Sequence, residues 1–184
     1  RAMKVIRRMD KYFRAAKYEI KVLESLCQSD PTDAWGFIRL KEAFVLNGHA
    51  CMLFEHFGVS VYKFLKLNEF RGFRMDCLQH VAFQLIRSVA FIHSLGLIHT
   101  DLKPENILVN TQTRQLRLCD VGHARHFTGT SFADAPQTTQ NYRAVESILN
   151  RRPFTLKTDM WSVACVCYEI VNTYMLFDPE FEET

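Results

Sequence analysis

The stretch from Ile98 to Gly122, IHTDLKPENILVNTQTRQLRLCDVG, constrains the fold of this chain more than any other. Pro104 has a fixed φ and no N–H, so the segment holding Asp101 and Asn106 is expected to be a loop rather than a helix. Such a loop can turn a carboxylate and an amide, five positions apart, toward one point. Asp101 would accept or orient the proton of an attacking hydroxyl. Asn106 and Asp120 offer the hard oxygen ligands that magnesium prefers. Lys103 can neutralise charge on a transferred phosphate. Chemistry of that kind is positioning and electrostatics, so it depends on whether these groups converge, which spacing alone leaves open.

The 184 residues are 48% hydrophobic and 12% aromatic, enough for one sizeable core in a globular rather than a disordered chain. A net charge of +3 with scattered Lys and Arg gives no electrostatic footprint for nucleic acid. Six cysteines lie mostly in apolar stretches without CxxC spacing, which points to reduced thiols in an intracellular protein, nuclear or cytoplasmic. No window approaches the roughly 18 unbroken apolar residues of a membrane span.

Along the chain, Ala2 to Ile6 reads as a strand with Lys4 as its polar member, and Asp10 is placed to cap the helix that follows. Between Lys11 and Cys27, Ala16, Ile20, Leu23 and Cys27 recur at helical steps, one buried stripe with Glu19 beside it. Taken alone, Lys4 and Glu19 read more simply as surface charges. From Phe37 to Phe57 two apolar runs flank Asn47-Gly48-His49, a tight-turn signal for a hairpin, and the second run breaks at Gly58. Val59 to Leu67 reads as a short amphipathic helix. Arg74 to Leu95 reads as a longer one with Leu78, Val81, Ala82, Leu85, Val89 and Ile92 on one face, ended by Gly96. Its His80 and His93 read as structural. Val109 to Cys119, with polar TQTRQ between LVN and LRL, reads as a small hairpin, and the polar run from His123 to Asn141 as a loop. Thr155 to Tyr174 is apolar on every side, the pattern of a buried central helix.

HTDLKPENIL, followed by DVG and then NYRAVE, resembles the ordered motifs of the eukaryotic protein kinases. Thr100, standing where most of them carry Arg, makes the chain most similar to the LAMMER (CLK) branch of the CMGC group, with serine/threonine or dual specificity. The resemblance implies an α+β, protein kinase-like bilobal fold. Residues 1–57 would form part of the small lobe and residues 58–184 part of the large lobe. It implies ATP and Mg2+ as cofactors and proteins as substrates, Arg/Ser-rich splicing factors among them; charge and hydropathy, as above, point to neither nucleic acid nor membrane as partner. Lys4 then matches the phosphate-anchoring Lys, and Glu19 the residue that holds it. Phe54 matches the bulky gatekeeper, backbone groups of Glu55 and Phe57 face the adenine edge, and Leu108 forms the floor. Asp101 is the base, Lys103 the charge neutraliser, and Asn106 and Asp120 the metal ligands. Thr139 bridges the catalytic Asp and Lys, while Asp159 hydrogen-bonds the catalytic-loop backbone.

Several departures qualify the resemblance. The hairpin after Leu108 is shorter than in animal LAMMER kinases. Val121 replaces the usual Phe, which would loosen a column joining Leu23, Val121 and His99 and cost about 1 to 3 kcal/mol of preference for the active arrangement. Gly122 is expected to permit the backbone turn there. Val145 replaces Pro in the Ala-Pro-Glu motif, although Glu146 remains. With Thr100 in place of Arg, activity is expected not to require a phosphate at Thr128, Thr130 or Ser131. The chain is short for this family, so a fragment is expected. A pseudokinase, keeping the fold as a scaffold without turnover, is the alternative reading.

Overall fold

Residues 1–127, 139–149 and 155–178 are described by the computed structural model. The expected positions Thr128, Thr130 and Ser131 lie outside the described residues.

Strand β1 (Ala2–Val5) leads into helix α1 (Asp10–Ser29), and β2 (Leu40–Leu46) and β3 (His49–Phe54) follow. The three strands form one antiparallel sheet in the order β1-β3-β2, which sets Lys4 opposite Met52. The β2–β3 turn is where the sequence signal lay: Asn47 and Gly48 both take positive φ, 49° and 78°. That left-handed pair matches the twist of a two-residue hairpin.

Helix α1 differs from expectation in two ways. Asp10 is its first residue rather than its cap, which is Met9 and makes no side-chain cap bond. The buried stripe runs through Ala16, Glu19, Val22, Leu23 and Leu26, leaving Ile20 and Cys27 half-buried. Glu19 lies in the stripe, not beside it, because its carboxylate has a cationic partner from the sheet. A buried carboxylate without such a partner would neutralise itself instead.

Strand β4 (Val59–Ser60) is followed by α2 (Val61–Leu67), capped by the Ser60 hydroxyl, which accepts the Lys63 N–H at 3.2 Å. Helix α3 (Met75–Ser94) buries Val81, Leu85, Val89 and Ile92, and Gly96 at φ 69° terminates it. Strands β5 (Leu97–Ile98), β6 (Ile107–Asn110), β7 (Gln115–Leu118) and β8 (Arg125–His126) come next. They form a three-stranded sheet, β4-β6-β7, and a two-stranded one, β5-β8. Val109–Cys119 is thus the hairpin expected. Helices α4 (Val145–Ile148) and α5 (Lys157–Asn172) close the described chain.

Helix α5 buries Thr158, Asp159, Ser162, Val163, Cys165, Val166, Glu169 and Ile170. Its other flank, with Met160 and Ala164, is exposed, so apolar residues on every side do not here mean burial on every side. The first sheet is joined to the rest through the segment after α1. Ile38 N–H donates to Leu118 O at 2.9 Å, and Leu118 N–H to Gly36 O at 2.8 Å. All six cysteines are free thiols. No described helix is long and apolar enough to cross a membrane.

Candidate active site

Strand β5 delivers His99, Thr100 and Asp101 to a loop that α5 holds from beneath. The fully buried Asp159 carboxylate accepts the His99 N–H at 2.8 Å and the Thr100 N–H at 2.9 Å, and its Oδ2 also meets His93 Nε2 at 2.8 Å. Thr100 sits at φ 70°, a left-handed conformation costly for a β-branched residue. Its hydroxyl donates to His123 O at 2.9 Å, so the strain is held by bonds on two sides. Sequence marked Thr100 as a substitution but gave no sign of this conformation.

Asp101 is the centre of a converging set. Thr139 donates to its Oδ1 through Oγ1 at 2.8 Å and through N–H at 3.2 Å, and Lys103 Nζ lies 2.9 Å from Oδ2. Asn106 Nδ2 donates to the Asp101 backbone oxygen at 2.8 Å and to Oδ2 at 3.0 Å. Burial alone would raise this carboxyl. The Lys103 and Thr139 hydrogen bonds outweigh it and hold Asp101 below the ordinary aspartate range. A carboxylate whose proton affinity is lowered in this way is suited to orienting a hydroxyl. Pro104, Glu105 and Asn106 form one 3-10 turn, which aims Asn106 back at Asp101.

Lys4 reaches across from β1. Its Nζ lies 2.7 and 2.9 Å from the two Glu19 oxygens and 2.9 Å from Asp120 Oδ1. Burial acts to lower the Lys4 pKa, but the two carboxylates more than reverse it and keep the ammonium charged. Burial lifts the Glu19 carboxyl above its ordinary range against the pull of Lys4.

Asp120, at φ 59°, carries the left-handed turn itself. Gly122 was expected to provide that turn, yet its φ is not positive. It is glycine for space: a Cβ there would stand 3.2 Å from Glu19 Oε2. Val121, Leu23 and His99 are all fully enclosed. Cys119, beside Asp120, has its thiol pushed up to about 12 by burial and by the Asp120 charge, so it stays protonated.

One cavity of about 310 Å³ is bordered by the Lys4–Glu19–Asp120 group and by Asn106, while Asp101, Lys103 and Thr139 stand beyond its lining, joined to it through Asn106. Lys4, Glu19, Phe54, Glu55, Phe57, Leu108, Asn106 and Asp120 all line it, so every residue assigned by resemblance to nucleotide or metal meets there. Sequence reading missed Leu23, Ile38, His56 and Cys119 on its walls, for which burial and backbone path, not motif, are the only signals. A larger hollow of about 510 Å³, between residues 140–148 and 174–178, contains none of these acids.

An α+β chain with this convergence around one cavity is a protein kinase domain: the family matches residues 1–184, and the chain belongs to it. Among its relatives, it is 36% identical over 190 residues to the probable dual specificity protein kinase madd-3 of Caenorhabditis elegans, covering 96% of this chain and 21% of that one. It is 37% identical over 193 residues to the dual specificity protein kinase lkh1 of Schizosaccharomyces pombe, covering 96% and 28%. With the dual specificity protein kinase CLK1 of Homo sapiens it shares 34% over 194 residues, covering 96% and 40%. The chain therefore spans between about a fifth and two fifths of the length of these curated relatives.

Proposed function

We propose that the protein carrying this domain transfers the γ-phosphoryl group of ATP to hydroxyls of protein substrates, on serine or threonine and also on tyrosine. The observation that supports it most is that Lys4 bridges Glu19 and Asp120 on the same cavity from which Asn106 reaches Asp101. The chain divides in this reading at residues 57 and 58, with the nucleotide between the two parts.

Lys4 anchors nucleotide phosphates and Glu19 fixes its position. Phe54 closes the back of the cavity, the Glu55 and Phe57 backbone meets the base edge, and Leu108 lies beneath it. Asp101 orients the substrate hydroxyl, and Lys103 and Thr139 hold that carboxylate in place while Lys103 offsets charge on the moving phosphate.

The donor set suits magnesium. Both hydrogens of the Asn106 amide are directed to Asp101, so the atom it offers is the amide oxygen, and Asp120 adds a carboxylate on the same cavity. One or two such oxygens, completed by water and phosphate, is how Mg2+ is ordinarily held. Bound there, the cation would neutralise charge on the nucleotide phosphates.

Arg/Ser-rich proteins are the first substrates to try, in the nucleus or the cytoplasm. The test is phosphate transfer from ATP by the full-length polypeptide and its Asp101→Asn variant. We expect turnover to fall at least about a hundredfold in the variant. Wild-type protein without transfer, and a variant that keeps the cellular role, would replace this reading with a scaffolding one.

A further inference from the structure

Residues 55–58, which form the rim of the cavity between β3 and β4, lie outside every strand. No sheet ladder holds them. Their far end is fixed by close packing, since a Cβ on Gly58 would stand 2.1 Å from Val109 O. The near end is held by a side chain from another element.

That side chain is Arg117, on β7, only 13% exposed. Its Nη1 donates to Glu55 Oε1 and, at 3.2 Å, to Phe37 O, and its Nη2 donates to Asp33 Oδ2 at 2.5 Å. The guanidinium also lies 4.6 Å from the centre of the Phe57 ring. One planar cation therefore joins three segments: the loop after α1, the cavity rim and the strand that leads to Asp120. A lysine cannot reproduce this, because a single ammonium lacks the rigid fork that serves several acceptors at once.

The loop at the other end of the clamp is itself anchored. The Asp30 carboxylate accepts the Ala34 and Trp35 N–H groups at 2.8 and 2.9 Å, and Trp35 stacks on Phe91 with ring centres 5.3 Å apart. The loop end of the clamp is thus held by contacts of its own. Without Arg117, Asp33 keeps Arg39 Nη1 at 4.0 Å from its Oδ1, whereas Glu55 loses the cation that ties the rim to β7.

We infer that Arg117 is a positioning residue that sets the nucleotide-facing rim, Glu55 to Phe57, against β7. The inference rests on reading the cavity as the ATP site. Arg117 has no bond to Asp101, Lys103 or Thr139, so its effect falls on nucleotide binding and not on the transfer step.

The experiment compares the full-length polypeptide with Arg117→Met, Glu55→Gln and the double variant, in ATP KM, kcat, melting temperature and titration with a fluorescent ATP analogue. Arg117→Met raises KM for ATP about fivefold to tenfold with kcat within about twofold, the size expected of one lost charge-assisted network. Glu55→Gln raises KM about twofold to threefold, and the double variant is no worse than Arg117→Met alone, because both act through one contact. If Arg117→Met does not fold, Glu55→Gln carries the test. A purely structural role would lower the melting temperature and leave KM as it was, which overturns the inference while the cavity reading stands. Wild-type protein that takes up no ATP analogue overturns both.

Discussion

Thr139 Oγ1 donates to Asp101 Oδ1 at 2.8 Å across 38 positions of sequence. The same hydroxyl accepts from Lys103 Nζ at 2.7 Å, so one oxygen links the two charged groups of the loop. Thr139→Ala removes the bridge and lets the Asp101 carboxyl rise toward its ordinary range. The expected result is a kcat lower by about ten to a hundredfold with KM for ATP unchanged. Thr139→Ser keeps the hydroxyl and should retain most activity, and a steady-state comparison of the two variants checks this. Equal loss in both would point to a backbone fault instead.

Gly122 gives a second prediction because of what a methyl group would displace. Its Cβ at 3.2 Å from Glu19 Oε2 pushes a carboxylate that Lys4 holds at 2.9 Å through the same oxygen. The carboxylate ends a flexible side chain, so it can give way by a few tenths of an ångström at modest cost. Gly122→Ala is expected to lower kcat/KM by about three to tenfold, roughly 1 kcal/mol, with the melting temperature little changed. A variant as active as the wild type would mean that the Lys4–Glu19 contact tolerates displacement.

Acid should disable the nucleotide clamp before it disables the hydroxyl-orienting carboxylate. Glu19 is raised by burial, whereas Asp101 is lowered because the Lys103 and Thr139 bonds outweigh its burial. As pH falls, Glu19 therefore takes up its proton first and releases Lys4 while Asp101 is still ionised. The acid limb of a kcat/KM profile is expected to have its midpoint above ~4.3, the unperturbed glutamate value. A midpoint below ~3.9, the unperturbed aspartate value, would assign the limb to Asp101 instead. Lys4, raised by its two carboxylates, contributes nothing to the alkaline limb below about pH 10.

The motif chemistry was legible because it depends on residue type at short spacing. Asp101, Lys103 and Asn106 share one loop, and Pro104 rules out the helix that would separate them. Lys4 and Glu19 were legible only by resemblance, since nothing in a strand and a helix 15 positions apart says that they meet. Arg117 was not legible at all: its partners stand 62, 80 and 84 positions away, with no motif between them. The role of Gly122 was misread because a glycine after an aspartate suggests a turn, whereas here Asp120 makes the turn and the glycine makes room. The helix α1 stripe was displaced for a related reason. Periodicity counts apolar residues, and Glu19 is buried by its ion pair.

Thr100 leads to the last prediction. An Arg at this place would put a cation beneath the segment after His123, and a phosphate there would be needed to satisfy it. Thr100 instead donates its hydroxyl to His123 O at 2.9 Å, while its N–H is taken by Asp159. The start of the segment is thus tied by a neutral bond that requires no phosphate. Replacing Thr128, Thr130 and Ser131 together by alanine should leave kcat/KM within about twofold of wild type, since the tie at Thr100 and His123 needs no phosphate. Thr100→Val, which loses the hydroxyl and keeps the shape, should instead lower activity by about three to tenfold and leave the His123 carbonyl without its donor. If the triple alanine variant is dead and the valine variant active, the segment depends on phosphate after all, and the Thr100–His123 bond does not replace it.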